Sequence, residues 1–332
     1  MIIDDVLNGA GAASMLRGDR FSRREGGDPA GLGAYSRAIM RILSDFDGVL
    51  TDPTHEMRRM RECFEQGLAA RAGDAGLAAL TEASAFAAAH PHLVGWENAG
   101  RISGYSDEDG FVAVNGIAAR LDHMATSGHV GARSALDRLQ VEGVTSFELL
   151  ANRAFDQVAH ETATGPLKPA DPATAHVLAE LMRRGHDVVI VSNSSTGRIQ
   201  GILEKSGIRS YAHGDTPQPN CVRVRGDARK FELGTEPALF DAGRPVDINR
   251  PKFEALLREE RPDVAIGDVF SFDLALPCAM RLRGEAGFAN LRAVLRKRDY
   301  TPEWPTAYLR SESRLAWSAI NDLTELLSLV RS

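Results

Sequence analysis

Two aspartates one residue apart, in the run Asp45-Phe46-Asp47-Gly48-Val49-Leu50-Thr51-Asp52, are the first residues of this chain whose spacing suggests chemistry. On an extended backbone, the two-residue period would put both carboxylates on one side and Phe46 on the other. Gly48 would then let the backbone turn sharply away. Carboxylates held this close repel one another and need a cation or a shared proton. Asp268, with Asp273 five residues later, supplies further acids. Oxygen ligands without histidine or cysteine among them suit a hard cation, and Mg²⁺ is expected.

Three short apolar runs lead into these polar residues. Ile42-Leu43-Ser44 precedes Asp45, Val188 to Val191 precede Ser192-Asn193, and Val264 to Gly267 precede Asp268. Such runs suit strands buried on both faces of a parallel sheet. Helices are expected after Asp171-Pro172 up to Gly185, from Thr196 to near Gly207, and from Pro251 onward. The C-terminus adds a strand over Leu315–Ile320 and a helix carrying Leu323, Leu326, Leu327 and Val330, opened by a capping box of Asp322 and Glu325. Strands alternating with helices predict an α/β fold with a doubly wound, Rossmann-like parallel sheet. Ligands of such sheets bind outside the carboxyl ends of the strands, where Asp45, Ser192 and Asp268 are expected.

More than a hundred residues separate the first two strands, far beyond what a crossover requires. Residues 54–164 are therefore expected to be an inserted, mainly helical domain, and 41–53 with 165–332 the core. Within the insert, Thr145 and Glu148 have capping-box spacing. The segment from His90 to Phe111, with Trp96, Glu97, Asn98, Arg101 and Tyr105, is expected to be a loop contributing to specificity. Residues 213–249 read as a smaller insertion. There Val222 and Val224 alternate with Arg223 and Arg225 before a turn at Gly226-Asp227, the pattern of a β-hairpin with a solvated basic face. Residues 1–40, rich in glycine and arginine, are expected to form a loosely ordered extension.

A formal net charge of −6 offers no basic field for nucleic acid or an anionic membrane. No apolar run is long enough to span a bilayer, and Asp4 and Asp5 interrupt any signal-peptide pattern. Cys63, Cys221 and Cys278 are far apart and read as reduced thiols of a cytoplasmic setting. Nothing in the sequence speaks to oligomeric state.

Taken in order, Asp45-Phe46-Asp47-Gly48-Val49, Ser192-Asn193, Lys252, and Gly267-Asp268 with Asp273 resemble the four motifs of the haloacid dehalogenase superfamily, in its phosphatase-like branch. The resemblance implies that the insert is a C1-type cap and that Asp45 is a nucleophile forming an aspartyl phosphate. It implies Asp47 as general acid and base, and Mg²⁺ held by Asp45, Asp268 and the Asp47 backbone carbonyl, with Asp273 beside them. Ser192, Asn193 and Lys252 would hold the phosphate. Three lysines, Lys205, Lys230 and Lys252, lie between the second and fourth motifs, and the choice is between Lys230 and Lys252. Lys252, in the first turn of a helix, is the one expected at the site, although Arg250-Pro251-Lys252 sets it after the proline rather than before. Lys230 is expected on the hairpin, away from the strand ends.

The implied activity is hydrolysis of a small phosphorylated metabolite. A sugar phosphomutase would use the same residues, and a silent binding module would keep the fold without turnover. A dehalogenase would not need Asp47. By the same resemblance a phosphonatase would need a lysine in the insert, and residues 53–167 contain none.

Overall fold

The computed structural model describes residues 39–164 and 170–330, so nearly all of the expected N-terminal extension lies outside the described residues. The chain runs β1 (Arg41–Ser44), α1 (Thr54–Ala89), β2 (Gly95–Asn98), β3 (Arg101–Tyr105), α2 (Gly110–Thr126), α3 (Val130–Val141), α4 (Phe147–Thr164), α5 (Thr174–Arg183), β4 (Asp187–Val191) and α6 (Thr196–Lys205). It continues through β5 (Ser210–Ala212), β6 (Val222–Arg225), β7 (Leu239–Asp241), β8 (Pro245–Asp247), α7 (Pro251–Glu260), β9 (Val264–Gly267), α8 (Ala275–Leu282), β10 (Arg292–Arg296), α9 (Glu303–Ser311), β11 (Ala316–Ile320) and α10 (Leu326–Leu329).

Seven strands form one parallel sheet in the order β11-β10-β9-β1-β4-β6-β5. Alternate residues of its strands feed two cores. Ile42, Val188, Ile190, Val264 and Ile266 pack against α5, α6 and α10. Leu43, Val189, Val191 and Ala265 pack against α7, α8 and α9. The doubly wound sheet expected from the apolar runs is thus present, with both faces covered. From β1 the chain goes first to β4 on one side and later to β9 on the other, so the sheet's switch point falls at β1. The register pairs Ser44 with both Ile266 and Ile190, which brings Asp45, Ser192 and Asp268 to one edge.

Between β1 and β4 the insert packs α1 to α4 around an apolar interior that includes Met60, Phe64, Leu68, Leu121, Leu139 and Phe147. α1 is interrupted by a kink at Gly73, whose φ is +60°. The start of α4 departs from the expected Thr145–Glu148 box. There Ser146 Oγ accepts from the Leu149 N–H, while Asp122 of α2 accepts from the N–H groups of Phe147 and Glu148. A carboxylate from a neighbouring helix does what a local side chain was expected to do.

Two readings of irregular segments need correction. The segment from His90 to Phe111 contains an antiparallel hairpin, β2–β3, turning through Ala99 and Gly100, both at positive φ, the two-residue turn that matches strand twist. Residues 213–249 are not one insertion. Val222–Arg225 is β6, a parallel strand of the main sheet, and the hairpin lies later, at β7–β8. The Val-Arg alternation arises because Val222 and Val224 enter one core while Arg223 and Arg225 pair on the other face with Glu260, itself 1% exposed. Those arginines therefore belong to a part-buried ion-pair group centred on Glu260, not to a solvated face.

The β2–β3 hairpin seats the insert on the core. Trp96 stacks on Phe231 with ring centroids 4.7 Å apart, and Ser103 Oγ donates to the Phe231 carbonyl. Arg250, fully buried, donates to Ser103 Oγ at 3.0 Å, to the Ser103 carbonyl at 2.5 Å and to the Lys230 carbonyl. Replacing Arg250 by Met would leave these acceptors buried without a donor. Arg250→Met is expected to destabilise the fold by about 3 kcal/mol, read as a lower urea midpoint with an unchanged m-value.

Candidate active site

The edge formed by the carboxyl ends of β1, β4, β6 and β9 gathers the polar residues. β1 ends at Ser44, but the Asp45 N–H still bonds the Ile266 carbonyl at 2.9 Å, so Asp45 is fixed by the sheet itself. The chain then turns, with the Leu50 and Thr51 N–H groups both bonding the Phe46 carbonyl. Gly48 sits in this turn at φ +84°, and a Cβ there would lie 1.9 Å from Asp268 Oδ2. Only glycine permits this approach of the β1 turn to the β9 end. Arg298, beyond β10, donates to the carbonyls of Gly48 and Thr51 and braces the turn from behind.

Because the backbone turns immediately after Asp45, the two aspartates of the first motif do not share a face as an extended strand would require. Asp45 points into an acidic cluster with Asp268 and Asp273, whose carboxylate oxygens lie within 4.8 Å of one another. Asp47 points elsewhere, accepting from Ser194 Oγ at 2.7 Å and from Arg198 Nη1 at 3.1 Å. The Asp47 side chain is therefore not part of the cluster, which corrects the expectation that both carboxylates face one side; the metal contact expected of Asp47 is its backbone carbonyl.

Lys230, not Lys252, is the lysine of the cluster. Its Nζ donates to Asp45 Oδ1 at 2.5 Å and to Asp273 Oδ1 at 2.7 Å, and it is 1% exposed. Lys252 lies in the first turn of α7 as expected, but its side chain is half exposed and bonds Glu232 at 2.8 Å. The residue of that helix start that turns inward is Arg250. Lys230 reaches the site because it follows β6, whose end lies beside that of β4. The Asp227 and Ala228 N–H groups bond the carbonyls of Ser194 and Ser192, and Asn193 Oδ1 accepts from the Lys230 N–H at 2.7 Å. Asn193, expected on phosphate, thus anchors the lysine's backbone. Ser192 is buried, lies 3.5 Å from Asp47 Oδ2 through its Oγ, and lines the cleft as expected.

Electrostatics separate the two halves. In the cluster, burial pushes the Asp45 carboxyl above the carboxylate range, Lys230 opposes this, and Asp273 and Asp47 add to it. Asp268 is raised well above its ordinary value by burial and then by Asp273 and Asp45. Burial works against the Lys230 ammonium too, yet Asp273 and Asp45 outweigh it and raise its pKa. One ammonium among three buried carboxylates leaves negative charge uncompensated. Asp268 Oδ2 accepts from the Tyr300 hydroxyl at 2.7 Å, while its buried Oδ1 has no partner. An all-oxygen donor set with surplus charge and an orphaned buried oxygen fits a hard divalent cation. Asp273 belongs to this set while its Oδ2 accepts the Val269 N–H, so it both caps the turn and faces the cluster.

On the other side, Arg198 of α6 bridges Asp47 and Glu56, the latter through Nη2 at 2.8 and 3.0 Å. Lys230, Ser194, Arg198, Glu56 and Tyr300 were not expected from the sequence. Lys230 had a readable signal, its place just after an apolar-alternating run that is a core strand; a serine, an arginine and a glutamate on helix starts carry none. Of the segment from His90 to Phe111 only Trp96, Asp109 and Phe111 line the cleft. Asn98 and Arg101 instead bond the core, to the Leu233 N–H and to Asp247.

The family description "haloacid dehalogenase-like hydrolase" matches residues 39–220. Comparison with curated proteins finds no match. Among solved structures, a 2-haloacid dehalogenase from Pseudomonas syringae pv. tomato DC3000 is 15% identical, covering 88% of this chain and 98% of its own, at TM-score 0.40. A predicted phosphoglycolate phosphatase from Haemophilus somnus 129PT is 14% identical, covering 88% of this chain and 98% of its own, at TM-score 0.42. At such identities neither protein's activity transfers to this chain.

The Tyr300 hydroxyl holds Asp268 through Oδ2 and leaves Oδ1 without a partner. Tyr300→Phe is expected to weaken divalent-cation binding about tenfold, the usual scale for a partner behind a ligand. Calorimetric titration of Mg²⁺ into wild type and variant measures it, and equal affinities would remove Tyr300 from the site.

Proposed function

Since the chain belongs to the haloacid dehalogenase-like hydrolases, we propose that it is a Mg²⁺-dependent phosphomonoester hydrolase working through an aspartyl phosphate on Asp45. The observation that carries the reading is the division of labour between two neighbouring aspartates. Asp45 lies in the acidic cluster on Lys230, and Asp47 faces away from it toward Ser194 and Arg198. A carbon–halogen displacement has no use for the second carboxylate, whereas transfer of a phosphoryl group from an alcohol needs a proton for the leaving oxygen.

In this mechanism a carboxylate oxygen of Asp45 attacks phosphorus as the bond from phosphorus to the ester oxygen breaks. Asp47 gives its proton to that oxygen, and the alcohol leaves. Asp47, now ionised, takes a proton from a water whose oxygen attacks the same phosphorus, and the bond from phosphorus to Asp45 breaks to release phosphate. Arg198 and Ser194 hold the Asp47 carboxyl in place for both proton transfers. Lys230 opposes the protonation of Asp45 that burial favours and aims its carboxyl, and its charge lies beside the transferring group. A cation on Asp45, Asp268 and Asp273, with the Asp47 carbonyl as a further ligand implied by the family, would offset repulsion between carboxylate and phosphate.

Asp45→Asn is expected to abolish Mg²⁺-dependent release of phosphate from p-nitrophenyl phosphate with the thermal unfolding curve retained; comparable turnover would end the covalent mechanism. Lys230→Ala is expected to lower kcat about a hundredfold or more, the scale of one preorganised electrostatic contact. Lys252→Ala, at an exposed ion pair, should stay within about twofold of wild type. Asp47→Asn should impair alkyl esters far more than p-nitrophenyl phosphate, whose leaving group needs little protonation. Equal losses on both would remove Asp47 from the acid role.

A further inference from the structure

The cleft above the aspartates has two unlike halves. Its empty space is about 740 Å³, open solvent at its mouth included. Its floor is polar: the aspartates, Ser192, Asn193 and Ser194. Its upper wall, supplied by the insert, is apolar, with Trp96 from β2, Phe111 and Val112 from α2, and Phe155 and Val158 from α4, facing Phe272 of the core. Phe111 and Phe155 meet edge-on at 5.8 Å, and Trp96 meets Phe272 edge-on at 5.9 Å. Phe155 is 40% exposed, one of few large apolar side chains so open among the described residues. An aromatic ring left this open at a cleft's edge is poised to gain from covering by a ligand.

The charges of the lining narrow the ligand further. Among the described residues Arg198 is the one cation on the cleft wall, and its guanidinium is already shared by Asp47 and Glu56. Of the two acids from the insert, Glu56 is held by Arg198, and Asp109 already caps α2 by accepting the Val112 N–H at 2.6 Å. A second anionic group on the substrate, a carboxylate or another phosphate, would meet apolar side chains and acids with no free positive partner, and would be desolvated at a loss. An uncharged hydrocarbon part would meet matching surface.

We infer that the phosphomonoester this protein hydrolyses has an uncharged, apolar leaving alcohol of about the size of an aromatic ring, whose hydrocarbon part packs against Trp96, Phe111 and Phe155. This rests on the phosphatase reading and specifies its substrate class. Bound this way, the ester oxygen is presented to Asp47 at the junction of the two halves, and the apolar wall excludes water from the reacting phosphorus while the alcohol is in place.

The test uses esters of primary alcohols, so that leaving-group chemistry is nearly constant: 2-phenylethyl phosphate, n-hexyl phosphate, glycerol 1-phosphate and 3-phosphoglycerate, with p-nitrophenyl phosphate as a general reporter. The expected order of kcat/KM places the phenylethyl and hexyl esters at least about tenfold above glycerol 1-phosphate, the discrimination that modest apolar burial supplies. The anionic 3-phosphoglycerate should be poorest. Phe155→Ala, at a partly exposed position, should lower kcat/KM for the phenylethyl ester about tenfold more than for glycerol 1-phosphate. Asp45-dependent hydrolysis of p-nitrophenyl phosphate combined with preference for glycerol 1-phosphate or 3-phosphoglycerate would overturn the substrate class and leave the phosphatase reading standing. So would an unchanged preference in Phe155→Ala. No turnover of any ester in the presence of Mg²⁺ would overturn both.

Discussion

The ammonium group of Lys230 is the contact on which the arrangement of the site depends. Three carboxylates that are nearly or fully buried would force one another to take up protons, and a buried lysine alone would tend to lose its own. Together they hold: Lys230 binds Asp45 and Asp273 at once, and the pair of contacts ties the ends of β1, β6 and β9 into one unit. The loop that delivers the lysine is correspondingly constrained. Asp227 and Arg229 both occupy the left-handed region, at φ +54° and +47°, which non-glycine residues seldom adopt. Hydrogen bonds from Asp227, Ala228 and Lys230 to residues 192–194 keep the loop in that shape. The segment that follows β4 is thus as much a mould for the lysine as a lining of the cleft.

Beyond the lysine, the two carboxylates of the first motif have opposite surroundings within three residues of chain. Asp45 is surrounded by acids and one ammonium; Asp47 by hydroxyls and a guanidinium. The turn at Phe46 produces this difference, and Gly48 permits it by letting the Asp268 carboxylate come against the backbone. A straight strand would have pointed both acids at the same partner and given one role to two residues.

The parts of this design that the sequence discloses are those written in uninterrupted apolar runs. β1, β4 and β9 were legible because each is buried on both faces and ends in a polar residue, so that Asp45, Ser192 and Asp268 could be assigned to one edge before any coordinates. β6 was not, because its alternation of valine with arginine imitates a half-exposed hairpin. The buried Glu260 that neutralises Arg223 and Arg225 lies 35 or more residues away, on α7, and no local pattern announces it. That imitation displaces the lysine: a β6 outside the sheet sets Lys230 away from the strand ends and leaves Lys252 as the candidate. β10 was missed as well, a short apolar centre framed by Arg292 and Arg296, the second of which is buried against Asp171. Contacts between distant segments, not propensities, decide such elements.

Arg250 gives the insert a boundary that the chain's own connectivity hides. By sequence the insert would be cut out between the turn after β1 and the start of α5, and replaced like a cassette. Its β2–β3 hairpin, however, shares a guanidinium with the Lys230 carbonyl and a stacked ring pair with Phe231. A chimera carrying a foreign insert would remove half of the mould that sets the lysine, even with every core residue intact. The natural seam for recombination therefore runs inside the insert, leaving the hairpin with the sheet and exchanging only the helices.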